Sequence, residues 1–517
     1  MLKKTPFFVF VVFFVFAACE NSTHSFEADI PGSDDSDSAE IDDSGSDFDS
    51  DSAETDDRDV QEDPLFNLKV EENKQNSLSC RLTFSTADEV QTFVKYYSAT
   101  HAGYIIRQDS AKKEHYFFLW GMRENLDYTI EIYTDEEMPE LLATTEFHSG
   151  FVPESVVKPH LVTNDREFVQ PGFVLFSQLA DPDTVEMPSV IFMVDTDGFV
   201  VWYFEHSLAG YAILSDAEYH KKTQTIFAGM QKGMNMADIP SEEGVEIDLK
   251  GNILWKSPDI ASYNYSATGW HHDYKLLDDG TILFLQAVYD GNLVTDRIVN
   301  VDRDYNELWD WGYLDSPDYF NEITCVDPEA KWCDWTHTNT AFTDEGKRFV
   351  YFNSRRLGFF KMDTATKEIV WKFGKGGDFT MLSDHIYPWP DYPHDPKISS
   401  DGRRMLFYDN GWEERNYSRV IEYIFDEDLM TAEISFEFDG FQSGRIWFAP
   451  AFGDADYLEN GNIFVTKGMM GRPENSSLFE ITRDGRVVWE LYTEQNDDFM
   501  IEVFNSDKFV PPLEFNR

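Results

Sequence analysis

The sequence predicts an all-β protein, a small fibronectin- or immunoglobulin-like β-sandwich followed by a six-bladed β-propeller. Three observations predict it. Aromatic residues make up 16% of the 517 residues, with 13 Trp and 24 Tyr, and such residues favour strands over helices. Short segments alternate apolar and polar residues, with turn residues between them. From residue 160 onward a strand–turn–strand pattern recurs at roughly 50–60 residues, with a Trp in its second strand. No 3.6-residue period persists through these segments, which excludes a helical solenoid.

Residues 1–18 read as a lipoprotein signal peptide. Lys3 and Lys4 precede the apolar run "FFVFVVFFVFAA" (7–18), which is too short to span a bilayer and suits a signal core. The run ends in "FAAC", small residues before Cys19, as in a lipobox where the cysteine becomes the lipidated mature N-terminus. An ordinary signal peptide with a chance cysteine is the alternative. Glu20 is not the Asp that resembles an inner-membrane retention signal, so the expected location is the outer membrane, facing the periplasm or the cell surface. The lipid is the only membrane contact expected. Residues 19–65 then form an acidic linker. Between 20 and 63 there are 18 Asp/Glu and one Arg, too little apolar surface to order the chain. The rest of the chain still carries −37 of the total −54, which opposes binding to nucleic acid.

Residues 66–155 carry the sandwich. Strand-like segments such as "SCRLTFST", "HYFFLWGM" and "DYTIEIYT" alternate in period two. "WGMRENLDYTIEIYT" (120–134) sets Tyr128 at a strand entrance, as in a tyrosine corner. A Pro-containing link, "FVPESVVKP" (151–159), ends the module.

Residues 156–517 repeat themselves. The unit is seen in "IFMVDTDGFVVWYF" (191–204), "GVEIDLKGNILWKS" (244–257), "IVNVDRDYNELWDW" (298–311), "FFKMDTATKEIVWKF" (359–373) and "LFEITRDGRVVWELY" (478–492). Trp202, Trp255, Trp309, Trp371 and Trp489 mark it, and "VIEYIFDEDLMTAEISFEF" (420–438) supplies the sixth copy with Phe for Trp. An all-strand repeat of this length buries little alone and packs on its neighbours, as propeller blades do.

The third, fourth and fifth copies open with "HHDYKLLDDGTILFL" (271–285), "HTNTAFTDEGKRFVYF" (337–352) and "HDPKISSDGRRMLFY" (394–408). Each places a histidine at the start of an innermost strand. Side chains at one repeat position converge on the propeller axis, so His337, His394 and one or both of His271 and His272 form a ring. Gly spacing aligns His272 with His394 but His271 with His337. Alternation sends strand neighbours to opposite faces; of the two we place His272 in the channel, with His271 as a further substrate contact. Polar side chains that merely fill the channel with water are the bland alternative.

Four cysteines remain to be placed. With Cys19 lipidated and the chain exported to an oxidising compartment, Cys325 and Cys333 bracket a short loop and are expected to pair, leaving Cys80 a buried free thiol. No C-x-x-C spacing suggests a metal site.

Taken together, "HHD" (271–273), "DWTHTNT" (334–340), "NSRR" (353–356) and "PHDPKISSDGRRMLFYDNG" (393–411) resemble the bacterial arylsulfate sulfotransferases over roughly residues 76–500. That resemblance implies an exported six-bladed propeller with an N-terminal sandwich, no cofactor, and transfer of a sulfuryl group from an aryl sulfate donor to a phenolic acceptor through a sulfated histidine. By motif, His394 matches the nucleophile, His337 and Asn339 the H-x-N pair, and Arg355 the arginine that holds sulfate oxygens. The Cys325–Cys333 loop fits the family's disulfide. Thr340 replaces an expected Ser, and the "YPHDP" setting of His394 is unlike the family pattern.

The residue types suit that chemistry. A neutral imidazole is a nucleophile near neutral pH. An arginine fork and further donors can stabilise charge on the transferring oxygens. No G-x-x-x-x-G-K-[ST] loop is present to cradle a nucleotide donor. Two other readings remain: a non-catalytic propeller that binds a surface ligand, and a metal enzyme built on the three histidines, which Arg355 opposes by its charge.

Overall fold

The computed structural model describes residues 65–178, 190–205, 211–232, 242–258, 267–316, 319–320, 333–441, 444–468, 477–493, 503 and 505–516. Pro64–Arg517 forms one compact unit. The signal peptide, Cys19, the acidic linker and Cys325 lie outside the described residues. Among those described the fold is all-β, with one short 3-10 turn at Tyr313–Asp315. No helix among them is long and apolar enough to cross a membrane.

Two sheets come first. Leu65–Glu72, Cys80–Val90 and Lys112–Leu119 form one. Thr92–Ser98, Tyr104–Arg107, Asp127–Thr134 and Leu141–His148 form the other, with the C-terminal Glu514–Phe515 on its edge. Asp127–Thr134 alternates strictly between buried and part-exposed positions, the pattern of a strand with one face in a core. The expected corner is made: the Tyr128 hydroxyl accepts the Arg123 N–H at 2.8 Å, and His101 Nδ1 lies 2.7 Å from it. Cys80 is buried and free, and burial pushes its thiol up to about 12. One apolar cluster runs from Leu82, Phe84 and Tyr96 into Phe173, Leu175 and Trp202, so these two sheets share a core with the first of the repeats.

The rest of the chain forms antiparallel meanders of four strands. Their first strands are Tyr211–His220, Ala267–Leu276, Thr338–Thr343, Pro393–Ile398 and Asp454–Tyr457. A further sheet joins Phe173–Gln178, Val190–Asp195 and Val200–Glu205 to Ser506–Phe509 from the far end of the chain. The first two of these meanders are joined into one sheet by the backbone pair Glu242–Trp270.

The sequence repeat has a physical explanation here. Asp195, Asp248, Asp302, Asp363 and Asp426 each accept two backbone N–H groups of their own turn, the local bonding that makes Asp a turn residue. The turns close on a left-handed residue, for example Gly198 at φ 82° and Gly251 at φ 89°, which glycine adopts without strain. The marker Trp sits just past a bulge and reaches into the next repeat's turn. Trp202 Nε1 donates to Leu249 O, Trp255 to Arg303 O and Trp309 to Thr364 O, each at 2.8 Å. Trp489, in the last repeat, donates to Thr196 O in the first, also at 2.8 Å. Phe436 occupies the equivalent post-bulge position, opposite Glu422, in the copy that lacks Trp.

Candidate active site

The three predicted histidine positions meet. His272 and His337 rings lie 5.0 Å apart, and His272 and His394 line one small cavity with Asp216, Asp273, Asn339, Thr340 and Asp395. Its volume is about 10 Å³, the space of about one water molecule.

Backbone irregularity aims these side chains. The pairing register slips between His271 and Tyr274, between Thr338 and Thr340, and between His394 and Lys397. Such bulges redirect side chains next to functional sites. His272, His337 and Asp395 hold φ values of 57°, 44° and 41°, a left-handed conformation that is strained for non-glycine residues and is retained only where surroundings enforce it. The bulge also overturns the alternation argument. His271 and His272 are not on opposite faces: their Nδ1 atoms are 2.8 Å apart. His272 lines the cavity, while His271 stands behind it with Nε2 at 3.2 Å from Asp296 Oδ1.

Each histidine is oriented by a partner. His337 Nδ1 bonds Asp334 Oδ2, and its Nε2 accepts from Arg355 Nη1 at 3.2 Å. Burial works against the Asp334 charge, but His337, Arg356 and Arg355 hold its carboxyl below the usual range. Asp296 is likewise held down against its burial by His271, Thr336 and the Thr338 N–H. His394 differs: its Nδ1 faces an amide, Asn410 Oδ1, at 2.7 Å. Burial, then the Arg355 charge, push His394 down to about 3 against that hydrogen bond. His272 is pushed well down by burial and by His337, His271, His394 and Arg355. Both rings are therefore neutral at neutral pH.

Arg355 follows the Phe349–Ser354 strand, and its N–H bonds His337 O at 3.3 Å. Its guanidinium lies 5.1 Å from the Tyr392 ring centroid, and its Nε is buried without an acceptor among the described residues. Burial and Arg356 lower its pKa, against Asp334 and Tyr392. Asn339 braces the strand entrance: it donates to Pro393 O at 3.0 Å and accepts from Asn353 Nδ2 at 2.8 Å. The two departures from the family pattern meet each other, since Thr340 Oγ1 donates to Asp395 Oδ1 at 2.7 Å.

Beneath the histidines lies a charged layer that sequence reasoning missed. Asp216, Asp273, Asp395 and Asp454 lie on four of the five first strands, the exception being Thr338–Thr343, and Lys275 and Lys397 lie two residues on from Asp273 and Asp395. Lys397 is 2.8 Å from Asp395, 3.6 Å from Asp454 and 3.3 Å from Asp456. Burial raises the Asp216 and Asp454 carboxyls well above their ordinary value. The signal was available as D-x-[EKD] at 216/218, 273/275, 395/397 and 454/456. Among the described residues no cluster of three or more His, Cys, Asp or Glu is arranged to hold a metal ion. Cys333 is buried. It opens the two-residue strand that pairs with Leu293–Val294.

The all-β scaffold thus brings neutral His272 and His394 and the Asn339 amide to one cavity, with His337 and Arg355 beside it. The arylsulfotransferase (ASST) family model matches residues 158–505, and the chain belongs to that family. No curated protein matches. Among solved structures it is similar to the β-propeller domain of Myceliophteria thermophila Cps50 (Swd1), at 11% identity and TM-score 0.33, covering 66% of this chain and 87% of that one. It is also similar to a Bacteroides thetaiotaomicron structural-genomics protein of unknown function, at 11% identity and TM-score 0.33, covering 86% and 92%.

Proposed function

We propose that the protein is an aryl sulfotransferase that needs no nucleotide donor and works by a ping-pong mechanism through sulfated His394. The carrying observation is His394 itself. It is buried and neutral, its Nδ1 is engaged by Asn410, and its Nε2 has no protein partner among the described residues. Family membership supports the sulfuryl chemistry. Nε2 attacks the sulfur of an aryl sulfate, the phenolate leaves, and an acceptor phenol then takes the sulfuryl group from the ring. Arg355 presents a permanent charge and a spare Nε–H to the sulfuryl oxygens. His337 and His272 assist the oxygens and the departing phenolate. Asn339 sits beside the nucleophile and fixes the approach of its strand.

The scaffold we infer is a six-bladed propeller behind a β-sandwich. The support is the Trp489–Thr196 bond from last repeat to first, and the entry of Ser506–Phe509 into the sheet of Phe173–Gln178. We further propose that Cys19 carries the lipid that tethers the protein to the outer membrane, and that Cys325 is the disulfide partner of Cys333.

The test is a chromogenic aryl sulfate without acceptor. Wild type releases about one equivalent of phenol and then slows. His394→Ala gives no burst, while His337→Ala, His272→Ala and Arg355→Ala give one formed roughly 10²–10³ times more slowly, the cost of one well-placed donor. A burst surviving in His394→Ala, with label elsewhere, refutes the nucleophile. No turnover by wild type favours a binding propeller instead.

A further inference from the structure

Asn410 directly follows the Arg404–Asp409 strand that pairs with His394 and is fully buried. Its orientation is over-determined. Nδ2 donates to Ala449 O at 2.7 Å and to Phe452 O at 3.0 Å. A flipped amide would set its oxygen against both carbonyl oxygens with no proton between them, so Oδ1 is the atom facing His394 Nδ1. Ser418 Oγ fixes the same corner, donating to Asn410 O at 2.9 Å and accepting from Ala449 N at 2.9 Å. An amide oxygen only accepts. The proton of neutral His394 therefore sits on Nδ1, and the lone pair on Nε2.

The contrast within the site gives this contact its meaning. His337 and His271 are each paired with a carboxylate, Asp334 and Asp296. The nucleophile candidate is paired instead with an amide. We propose that Asn410 is a positioning residue that fixes His394 as an Nε2 nucleophile and, because an amide cannot take the Nδ1 proton, keeps the sulfated ring cationic and reactive. This rests on the sulfohistidine reading above.

In the first half-reaction the Nε2 lone pair forms the N–S bond. The bond from sulfur to the aryl oxygen breaks, and its electron pair leaves on the phenolate. The ring becomes cationic with Nδ1–H retained. In the second, the acceptor oxygen forms the new S–O bond and the N–S pair returns to Nε2, so neutral imidazole departs. The proton lost by the acceptor balances the one gained by the first phenol. A carboxylate at position 410 would accept the Nδ1 proton. The sulfated ring would then be neutral, and imidazolide, a far poorer leaving group, would have to depart.

Asn410→Asp separates the two half-reactions. We expect the phenol burst to stay near one equivalent, while transfer from the isolated sulfo-enzyme to an acceptor phenol slows by about 10–100-fold, the usual cost of losing such a partner. Asn410→Ala slows both half-reactions. Equal slowing of both halves by Asp and Ala marks Asn410 as merely structural and overturns the proposal. Wild-type protein with ¹⁵N-labelled histidine keeps the test independent of how the variants fold. His394, assigned from its loss in His394→Gln, should show the Nδ1–H tautomer at neutral pH. An Nε2–H signal overturns this proposal alone. Absence of any sulfo-enzyme in wild type overturns the catalytic reading and with it the reactivity half of this one.

Discussion

Burying a neutral His394 has a thermodynamic consequence that does not depend on substrate. In the unfolded chain the ring titrates at the ordinary 6.5, and in the fold burial and Arg355 hold it at about 3. Above pH 6.5 the ring is neutral in both states and nothing is lost. As pH falls below 6.5 the unfolded state binds a proton that the folded state refuses, so stability declines until about pH 3. From 6.5 down to pH 5, at about 1.4 kcal/mol per pH unit, the loss is about 2 kcal/mol. His394→Gln keeps a side chain of similar size and removes the titration. Urea unfolding of wild type and variant at pH 7 and pH 5, followed by Trp fluorescence, reads the difference. Wild type should lose about 2 kcal/mol more than His394→Gln between the two pH values. Losses equal to within about 0.5 kcal/mol would refute the buried-neutral assignment. For the same reason protonation of His394 sets no acid limb on activity between pH 5 and 8. His272, displaced in the same direction, adds to the effect, and His272→Gln/His394→Gln should be flatter still.

Two more outcomes are expected. Cys19→Ser should move the exported protein from the detergent phase to the aqueous phase on phase separation, and retention in detergent would sink the tether. Peptide mapping without reduction should recover Cys325 joined to Cys333, a short loop whose closure stabilises by about 2–3 kcal/mol in the chain-entropy picture; alkylation of Cys325 in the native protein would refute the pairing.

The strand-rich fold and the repeat were legible because their signals are local. A turn Asp binds its own backbone, and a Trp at fixed distance from it packs on the next copy. The histidines could be read because one position per repeat converges in space. Which of His271 and His272 enters the cavity could not be read from alternation, because the bulge between His271 and Tyr274 cancels the two-residue period. Asn410, Asp296 and Asp334 were missed for a different reason. Asn410 and Asp296 act from neighbouring strands that only the pairing register brings into reach, while Asp334 lies three residues before His337 and reaches it through the local chain path. Within "HDP" and "HTNT" the unusual Asp395 and Thr340 each read as a departure. Their mutual hydrogen bond is a relation between two segments, which neither segment shows alone.

The same relation bears on why the site sits where it does. Trp202, Trp255, Trp309 and Trp489 each bind the turn of the following repeat, but Trp371 Nε1 is buried without an acceptor among the described residues. The repeat it faces is the one with Phe in the marker position. The joint between the fourth and fifth copies therefore lacks this contact, as does the joint that follows the Phe-bearing copy. Beside the apolar cluster of Phe359, Phe373, Phe407 and Tyr423, this joint carries Asn339 and Asn353 on Pro393 O, Thr340 on Asp395, and further out Lys361 on Glu427 at 2.7 Å. Three of those four contacts involve residues of the cavity or their immediate brace. Buried hydrogen bonds made to a backbone carbonyl and a carboxylate fix distances that apolar packing leaves adjustable. The proposed nucleophile on the fifth copy and its proposed arginine on the fourth need that fixed distance. Polar fastening at this joint supplies it, at the cost of making the joint's stability inseparable from the geometry of the site.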